Sequence, residues 1–299
     1  MPVGVYARIS GQELKDRLAD IVRMQNLSFQ EKISAAMTIM RDVDRLAAPG
    51  KRVVMFSGGR DSTVAALLAR RLWPDVSLLY NDTGLGTPGS SAQVERIAGK
   101  LQLPLTITRP GVTAFEMWRS RGHFPIGPKR GHTFWKQKRP GLKSSPVQCC
   151  YHLKEVPAKQ ALKSMDAKVL VWGNRADDSN RRKLALADHG FIQKPCAKWP
   201  VFNVEPLAFF LDDDIRKILE QTFPGEAWVE RGETGCACCC TDISRPDNQL
   251  SRLFLRDKPA FLAAIRSGLG EQLLTANGYH LTVEEALEKD PRMFLRVNI

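Results

Sequence analysis

Short apolar runs alternate with amphipathic stretches over the first two thirds of the chain. The apolar runs cover residues 52–56, 76–80, 105–108 and 169–172, a length and composition typical of buried parallel strands. Residues 62–73, 91–101 and 155–165, which lie between these runs, have the character of helices. Strand and helix therefore alternate, and this order predicts an α/β fold with a parallel sheet covered by helices on both faces.

Both ends of the chain have helical patterns without apolar runs of strand type. Apolar residues recur at helical spacing between residues 11 and 47, and helical patterns return around residues 253–265 and 283–287. We therefore predict three parts: an N-terminal helical extension (residues 1–49), a central α/β domain (50–245) and a C-terminal helical extension (246–299).

A glycine-rich string follows the first apolar run and precedes a helix rich in Ala and Leu. The string is Ser57-Gly58-Gly59-Arg60-Asp61-Ser62. Its glycines allow backbone N–H groups to approach a polyphosphate, and the helix N-terminus adds the positive end of its dipole. The serines can donate hydroxyl groups, whereas Asp61 suits Mg²⁺ ligation or helix capping. The string predicts a loop that binds the phosphates of ATP or a related adenylate; a capped glycine turn without a ligand is the alternative.

Two further strings follow the second and fourth apolar runs. They are Asp82-Thr83-Gly84 and Gly173-Asn174-Arg175-Ala176-Asp177-Asp178-Ser179-Asn180-Arg181-Arg182. Guanidinium groups bind phosphate and sulfate oxygens bidentately, so Arg175 and Arg182 suit an anionic substrate. The carboxyl ends of parallel strands meet at one edge of a sheet, and we expect the strings to lie at that edge.

Six of the seven cysteines lie in two clusters. Cys149 and Cys150 are adjacent, and four more lie between Cys236 and Cys240, with Cys236 and Cys239 in Cys-x-x-Cys spacing. Clustered thiolates bind iron–sulfur clusters or zinc, and the number of ligands alone does not separate the two. Cys196 stands alone, and we expect it to be structural.

The chain is basic, with 44 Lys and Arg against 32 Asp and Glu and a net charge of +12. Total charge is explained as well by solubility as by a polyanionic partner. The segment from Arg119 to Lys154, however, has basic and aromatic residues and no Asp or Glu, which suits a loop that faces a polyanion with stackable bases. A solvated insertion is the alternative. There is no apolar stretch of transmembrane length and no apolar signal core in the first 25 residues, so we expect a cytoplasmic protein without a membrane partner.

The strings together resemble the PP-loop ATP pyrophosphatases and, within them, the phosphoadenosine phosphosulfate reductase-like branch. Ser-Gly-Gly-x-Asp-Ser is the superfamily signature, and the segment from Pro206 to Ile215 also resembles a string of the branch. The resemblance covers residues 50–245 and implies a doubly wound, adenine nucleotide alpha-hydrolase-like sheet. It implies that Asp61, Arg175 and Arg182 are catalytic. The implied nucleotide site comprises Ser57, Gly58, Gly59, Arg60, Asp61, Ser62, Asp82, Gly173, Arg175 and Ser179.

Iron–sulfur members of this branch hold a [4Fe–4S] cluster with a Cys-Cys pair and a distant Cys-x-x-Cys. The resemblance therefore implies Cys149, Cys150, Cys236 and Cys239 as cluster ligands, with zinc as the alternative, while Cys238 and Cys240 exceed this set. The chain is most similar to the ATP-using iron–sulfur component of DNA phosphorothioation systems. That likeness implies ATP and Mg²⁺ as cofactors, a cysteine desulfurase or other sulfur donor as partner, and DNA as acceptor, with tRNA or a small molecule as alternatives.

A sulfonucleotide reductase and a nucleic-acid-binding scaffold without turnover are the competing hypotheses. The reductases that this branch contains use a C-terminal cysteine nucleophile and commonly have a degraded phosphate loop. Here the loop is complete and no cysteine follows Cys240 in the sequence, which favours ATP. A cysteine between Cys236 and Cys240 could replace that nucleophile, so the reductase remains the alternative. The scaffold is disfavoured because all the loop strings are present.

Overall fold

The computed structural model describes residues 10–86, 89–114, 116, 150–226, 228 and 248–295. The described residues fall into two compact units. The first contains those within 1–80, 93–107 and 159–233, and the second contains those within 81–92, 108–158 and 234–299. The division of the sequence at residues 49 and 245 stays a prediction.

A six-stranded sheet runs through the described residues in the order β3-β2-β1-β4-β6-β5. Its strands are β1 (Arg52–Met55), β2 (Ser77–Asn81), β3 (Leu105–Thr108), β4 (Val169–Val171), β5 (Ile192–Gln193) and β6 (Phe202–Val204). The pairs β1–β2, β1–β4 and β4–β6 are parallel, and β5 is antiparallel to β6 at the edge. The predicted α/β fold is confirmed, and β5 and β6 are additions that the apolar runs did not indicate.

The strand order reverses between β1 and β4. From β1 the chain continues outward through β2 to β3, and it then returns to pair β4 with the opposite side of β1, where Val53 lies opposite Leu170. In open α/β sheets, ligands bind beyond the carboxyl ends of the strands that flank such a reversal. Residues 57–62 follow β1 and residues 173–178 follow β4, so both segments emerge at this reversal point.

Seven helices accompany the sheet in the described part of the chain. They are α1 (Gly11–Gln25), α2 (Phe29–Asp42), α3 (Arg60–Leu72), α4 (Ser90–Leu101), α5 (Val156–Ser164), α6 (Asn180–His189) and α7 (Asp212–Thr222). Side chains that precede several helices fix where they begin. Ser28 and Glu31 form a reciprocal capping box at α2, and the Ser179 hydroxyl accepts from the Arg182 N–H at the start of α6.

The two N-terminal helices belong to the core of the first unit. Ile21 of α1 and Met40 of α2 are buried in the same apolar cluster as Val54 of β1 and Val64 of α3. This packing removes their apolar faces from water, which is what stabilises helices of this length. The helical N-terminus predicted from periodicity is therefore an integral layer of the sheet unit.

The second unit has an apolar core of its own. Its C-terminal helices are α8 (Gln249–Arg256), α9 (Lys258–Ala264), α10 (Gly270–Asn277) and α11 (Val283–Lys289). Phe261, Ile265 and Phe294 are buried there together with Leu85 and Leu153 from earlier in the chain. None of the helices in the described residues is both long enough and apolar enough to cross a bilayer.

Candidate functional site

The phosphate loop (residues 57–62) is shaped by its own two serines. The Ser57 N–H donates to Ser62 Oγ at 3.2 Å, and the two hydroxyl oxygens lie 3.1 Å apart. The Gly59 N–H donates to Ser57 Oγ at 3.3 Å. Helix α3 begins at Arg60 without a side-chain cap. Of the two roles that the sequence allowed for Asp61, Mg²⁺ ligation and helix capping, the structure therefore does not show capping. The first amides of a helix lack intrahelical acceptors, which is the property that suits this loop to phosphate.

Two glycines allow close packing around the loop. Gly58 has φ +69°, and a Cβ there would lie 2.8 Å from Val94 Cγ2. Gly173 follows β4 with its Cα directly against α3, where a Cβ would lie 2.8 Å from both the Asp61 carbonyl carbon and the Ser62 nitrogen. Backbone atoms cannot move aside as a side chain can, so only glycine fits at position 173. This contact joins the β1 and β4 segments at the reversal point.

Arg175 is only 6% exposed and is surrounded by carboxylates. Its Nε lies 3.0 Å from Asp61 Oδ1, and its Nη2 lies 2.9 Å from Asp178 Oδ1. Asp177 and Asp212 each approach the guanidinium to 3.5 Å. The sequence predicted that Arg175 would face phosphate oxygens; in the structure it lies beside the phosphate loop and pairs with acidic side chains.

The Arg175–Asp61 pair is close but poorly hydrogen-bonded. Asp61 Oδ1, Arg175 Nε and Arg175 Nη1 are buried, yet none has a hydrogen bond of regular geometry. Burial raises the pKa of Asp61 above its usual value, and the neighbouring Arg175 cation opposes that rise. Buried polar groups in this state keep unused bonding capacity, which is costly unless a ligand takes it up.

Three further arginines complete an alternating set of charges. Arg60 Nη2 lies 2.9 Å from Asp212 Oδ1, and Arg216 Nε lies 3.0 Å from Asp212 Oδ2. Arg182 pairs with Asp178. Asp212 was missed by sequence reasoning, because it lies in a run of three aspartates with no feature that separates it from its neighbours. Asp178, by contrast, lies within the string that carries Arg175 and Arg182, so its place in that motif could have identified it as a site residue.

Glu205 is a second site residue that the sequence did not reveal. It follows β6 directly and is buried, and Gln193 Nε2 donates to its Oε1 at 3.1 Å. Burial raises the pKa of Glu205 to about 7, while a hydrogen bond from Asn174 and the charge of Arg182 oppose that rise. A buried carboxyl group that titrates near neutrality at the carboxyl edge of an α/β sheet is a functional-site candidate.

Asp82 lies in the second unit, in the turn after β2. Its Oδ1 accepts from the Gly84 N–H at 3.1 Å, and its Oδ2 lies 3.2 Å from Arg109 Nε. Gly84 has φ +69°, which the turn requires. The carboxylate therefore stabilises its own turn and pairs with an arginine.

The structure describes one of the four predicted cluster ligands. Cys150 is exposed and immediately precedes a single π-helical turn, Tyr151–Glu155. Cys149, Cys236 and Cys239 lie outside the described residues, as does most of the basic segment that begins at Arg119. Within the described residues no group of three or more His, Cys, Asp or Glu side chains could hold a metal ion. The iron–sulfur cluster stays a prediction.

Comparison with known families matches the part of the chain that carries this geometry. The family model described as the phosphoadenosine phosphosulfate reductase domain matches residues 51–222. The chain belongs to this family. Membership confirms the predicted branch of the PP-loop superfamily, and the matched range contains the phosphate loop, the Arg175 cluster and Glu205.

Similarity to individual proteins is lower. The chain is 25% identical over 174 residues to the phosphoadenosine 5′-phosphosulfate reductase of Escherichia coli, a match that covers 56% of this chain and 64% of the reductase. It is 26% identical over 152 residues to an uncharacterized protein of Methanocaldococcus jannaschii, covering 50% of this chain and 32% of that protein. The chain thus matches less than two thirds of the length of each of these relatives.

The similarity to solved structures is also low. A phosphoadenylyl-sulfate reductase from Candida auris, solved with phosphate, has a TM-score of 0.45 and 17% identity, covering 76% of this chain and 95% of that chain. An NH3-dependent NAD synthetase from Campylobacter jejuni has a TM-score of 0.43 and 12% identity, covering 86% of this chain and all of that chain. Similarity at this level does not assign an activity.

Proposed function

We propose that this chain is an ATP pyrophosphatase that adenylates an acceptor for sulfur incorporation, with DNA phosphorothioate modification as its setting. The observation that carries the proposal is the direct backbone contact between Gly173 and the Asp61–Ser62 peptide, which brings the phosphate loop and Arg175 together at the reversal point. A complete Ser-Gly-Gly-x-Asp-Ser loop is suited to a nucleoside triphosphate.

In the proposed reaction, the β- and γ-phosphates of ATP lie on the phosphate loop, and an acceptor oxygen attacks the α-phosphorus. The bond from the α-phosphorus to its bridging oxygen breaks, and pyrophosphate leaves. Sulfur delivered at the sulfide level then bonds to the activated phosphorus of the acceptor, the bond from that phosphorus to the AMP oxygen breaks, and AMP leaves. Arg175 and Arg182 stabilise the charge that develops on the α-phosphate, because guanidinium groups bind phosphate oxygens bidentately. Both arginines first have to exchange their carboxylate partners for phosphate oxygens.

Charge balance explains why Mg²⁺ belongs in this proposal. Asp61, Asp178 and Asp212 already neutralise the arginines, so a bare polyphosphate would bring excess negative charge. Asp61 is the carboxylate best placed to ligate the ion, because its Oδ1 is buried without a regular hydrogen bond. Bound Mg²⁺ would lower the repulsion between Asp61 and the phosphates and leave Arg175 available to the substrate.

The deciding measurement is the release of pyrophosphate, sulfite and AMP (or its 3′-phosphate) by anaerobically purified protein, offered ATP, adenylyl sulfate and its 3′-phosphate separately with Mg²⁺ and a thiol. Duplex DNA is added as the acceptor and sulfide as the sulfur nucleophile. We expect AMP and pyrophosphate from ATP. Asp61→Asn should abolish their release, whereas Asp20→Asn, which changes an exposed carboxylate paired with Arg23, should retain it. Full activity of the Asp61 variant would overturn the role of the loop.

A sulfonucleotide reductase is the second candidate, favoured by the named activity of the Escherichia coli relative. Release of sulfite from either sulfonucleotide, with none of the ATP turnover, would establish it. One of the cysteines between Cys236 and Cys240 would then have to supply the nucleophile.

The proposed [4Fe–4S] cluster is tested separately from turnover. Cys149→Ser and Cys236→Ser should bleach the brown colour of the anaerobic protein, because each removes one of four thiolates. Cys196→Ser is the matched control, since Cys196 is exposed and lies in neither cysteine cluster. A visible spectrum identical in all three variants and the wild type would show that these thiolates hold no cluster.

A further inference from the structure

The first turn of helix α4 packs against the phosphate loop at Gly58. Gln93 Nε2 donates to the Gly58 carbonyl oxygen at 2.9 Å. The next residue of the helix, Val94, lies so close to the Gly58 Cα that a Cβ there would be 2.8 Å from Val94 Cγ2. Gly58, Gln93 and Val94 all belong to the first compact unit. Helix α4 therefore contacts the loop both by packing and by a hydrogen bond.

The peptide group between Gly58 and Gly59 is held at both ends. Its oxygen accepts from Gln93, and its N–H, which is that of Gly59, donates to Ser57 Oγ at 3.3 Å. A trans peptide group is planar, so its oxygen and its hydrogen point in opposite directions. The bond to Gln93 thus keeps the oxygen on the side of α4 and the N–H on the side of the serine hydroxyls.

This peptide is the part of the loop that can rotate most easily. It lies between two glycines, which adopt positive and negative φ angles with similar ease, and Gly58 has φ +69°. The next carbonyl, that of Gly59, is already fixed by α3, because it accepts from the Thr63 N–H at 2.9 Å and from Thr63 Oγ1 at 2.8 Å. Rotation of the Gly58–Gly59 peptide would direct the Gly58 oxygen toward the serine side of the loop, where it would repel phosphate oxygens.

We propose that Gln93 is a positioning residue of the nucleotide site, whose side-chain amide holds the Gly58–Gly59 peptide with its oxygen directed away from the phosphates. Its effect on nucleotide affinity rests on the proposed function, whereas its effect on the peptide does not. A neutral amide donor suits this position, since an ionised carboxylate has no proton to donate to the carbonyl. Gln93 lies outside the motif strings of the sequence, so its role comes from the fold.

Hydrogen exchange of the nucleotide-free protein tests whether Gln93 holds the peptide. Gln93→Leu removes the donor, and we expect the protection factor of the Gly59 N–H to fall about three- to tenfold, the effect of one hydrogen bond. The N–H of Trp73, at the end of α3, should keep its protection. Gln12→Leu, which removes an exposed amide that donates to Asp16, is the matched control and should leave Gly59 unchanged.

Gln93→Glu adds a readout that loss of packing alone would not change. Glutamate has the same length as glutamine, but it can donate to the Gly58 carbonyl only when it is protonated. Protection of Gly59 relative to the wild type should therefore be low at pH 8 and recover at least twofold at about pH 4.3, the ordinary pKa of glutamate. Gln93→Leu should show no such recovery. Repulsion between the new charge and phosphate has no part in this result, because no nucleotide is present.

Affinity for Mg–ATP at neutral pH tests the link to the nucleotide. We expect Gln93→Leu to raise the dissociation constant about three- to tenfold and Gln12→Leu to leave it unchanged. Unaltered Gly59 protection in Gln93→Leu would overturn the proposal, as would unaltered affinity for Mg–ATP. If Gln93→Leu fails to fold, the pH dependence of Gln93→Glu decides instead. A wild type that binds no adenine nucleotide would refute the proposed function, while hydrogen exchange would still decide whether Gln93 holds the loop.

Discussion

At the scale of single residues, Gly173 shows how a motif glycine can be required by packing. Its Cα lies against the Asp61–Ser62 peptide, where backbone atoms leave no space for a methyl group. The same glycine therefore determines the distance between the phosphate loop and the segment that carries Arg175. Gly173 is therefore required by its close contact with helix α3 and not by the conformation of a turn.

Gly173→Ala should separate these two segments. We expect a loss of about 1–3 kcal/mol in the free energy of unfolding, as overpacking typically costs, and a loss of nucleotide affinity of at least tenfold. Gly99→Ala is the control, because a Cβ at that exposed position in α4 meets nothing within 4 Å and should stabilise the helix slightly. Urea unfolding and ATP titration of both variants measure the two effects. Equal stability and equal ATP affinity of the two variants would show that the site tolerates the displacement.

Glu205 makes a prediction about stability and pH. Its pKa rises from 4.5 in the unfolded chain to about 7 in the folded protein, so between these values the folded state binds the proton and the unfolded state does not. Stability contributed by this group is therefore present below pH 4.5, is lost as the pH rises to 7, and changes little above that. The size of the loss is on the order of 3 kcal/mol.

Glu205→Gln should remove this component. The difference between the urea midpoints at pH 5 and pH 8 should be smaller for the variant than for the wild type. Because the wild type alone loses this stability on deprotonation, the variant should be the more stable protein at pH 8. A wild-type pH dependence retained in full by the variant would mean that another group titrates in this range.

At the scale of elements, the start of α7 is fixed by a buried ion pair with the N-terminal layer. Lys32 Nζ of α2 lies 2.6 Å from Asp214 Oδ2, and their side chains are 4% and 14% exposed. Asp214 also accepts from the Leu211 N–H at 2.8 Å, so it anchors the first turn of the helix. The same turn carries Asp212, which pairs with Arg60 and Arg175. The N-terminal layer therefore supports the site although it lies outside the range matched by the family.

Lys32→Met should leave Asp214 buried without its cation and cost about 3–5 kcal/mol of unfolding free energy. Arg23→Ala, which breaks an exposed pair with Asp20, should cost at most about 1 kcal/mol. A double-mutant cycle with Asp214→Asn measures the coupling between Lys32 and Asp214. Coupling near zero would show that the two side chains act on stability independently.

At the scale of the whole molecule, the net charge of +12 bears on the proposed acceptor. Binding to DNA by charge releases counterions, so log affinity should fall linearly with log salt, with a slope of roughly −0.9 for each phosphate contacted. Fluorescence anisotropy with a labelled duplex between 50 and 200 mM salt measures it. We expect several contacts and a steep slope. Negligible binding at low salt would remove duplex DNA as the acceptor and direct attention to tRNA or a small molecule.

The sequence by itself determined the alternating strands and helices, the parallel sheet and the phosphate loop. These features are local: apolar runs, helical periodicity and the Ser-Gly-Gly-x-Asp-Ser string can each be read within a dozen residues. The loops were also predicted at the correct edge, because parallel strands direct their carboxyl ends to one side. The short strands β5 and β6 were not predicted, since two or three residues are too few to establish the alternation of apolar and polar positions in a strand.

Only the tertiary structure decided which side chains meet. Asp212 and Glu205 are ordinary acidic residues in the sequence. Asp212 is distinguished by its ion pairs with Arg60 and Arg175, and Glu205 by its burial, and no local pattern encodes either. The same holds for Lys32 and Asp214, which are 182 positions apart and meet because α2 and α7 pack in one unit. Burial also changed the chemistry of Glu205: a carboxyl group loses its hydration when a fold encloses it, and that loss raises the pKa of Glu205.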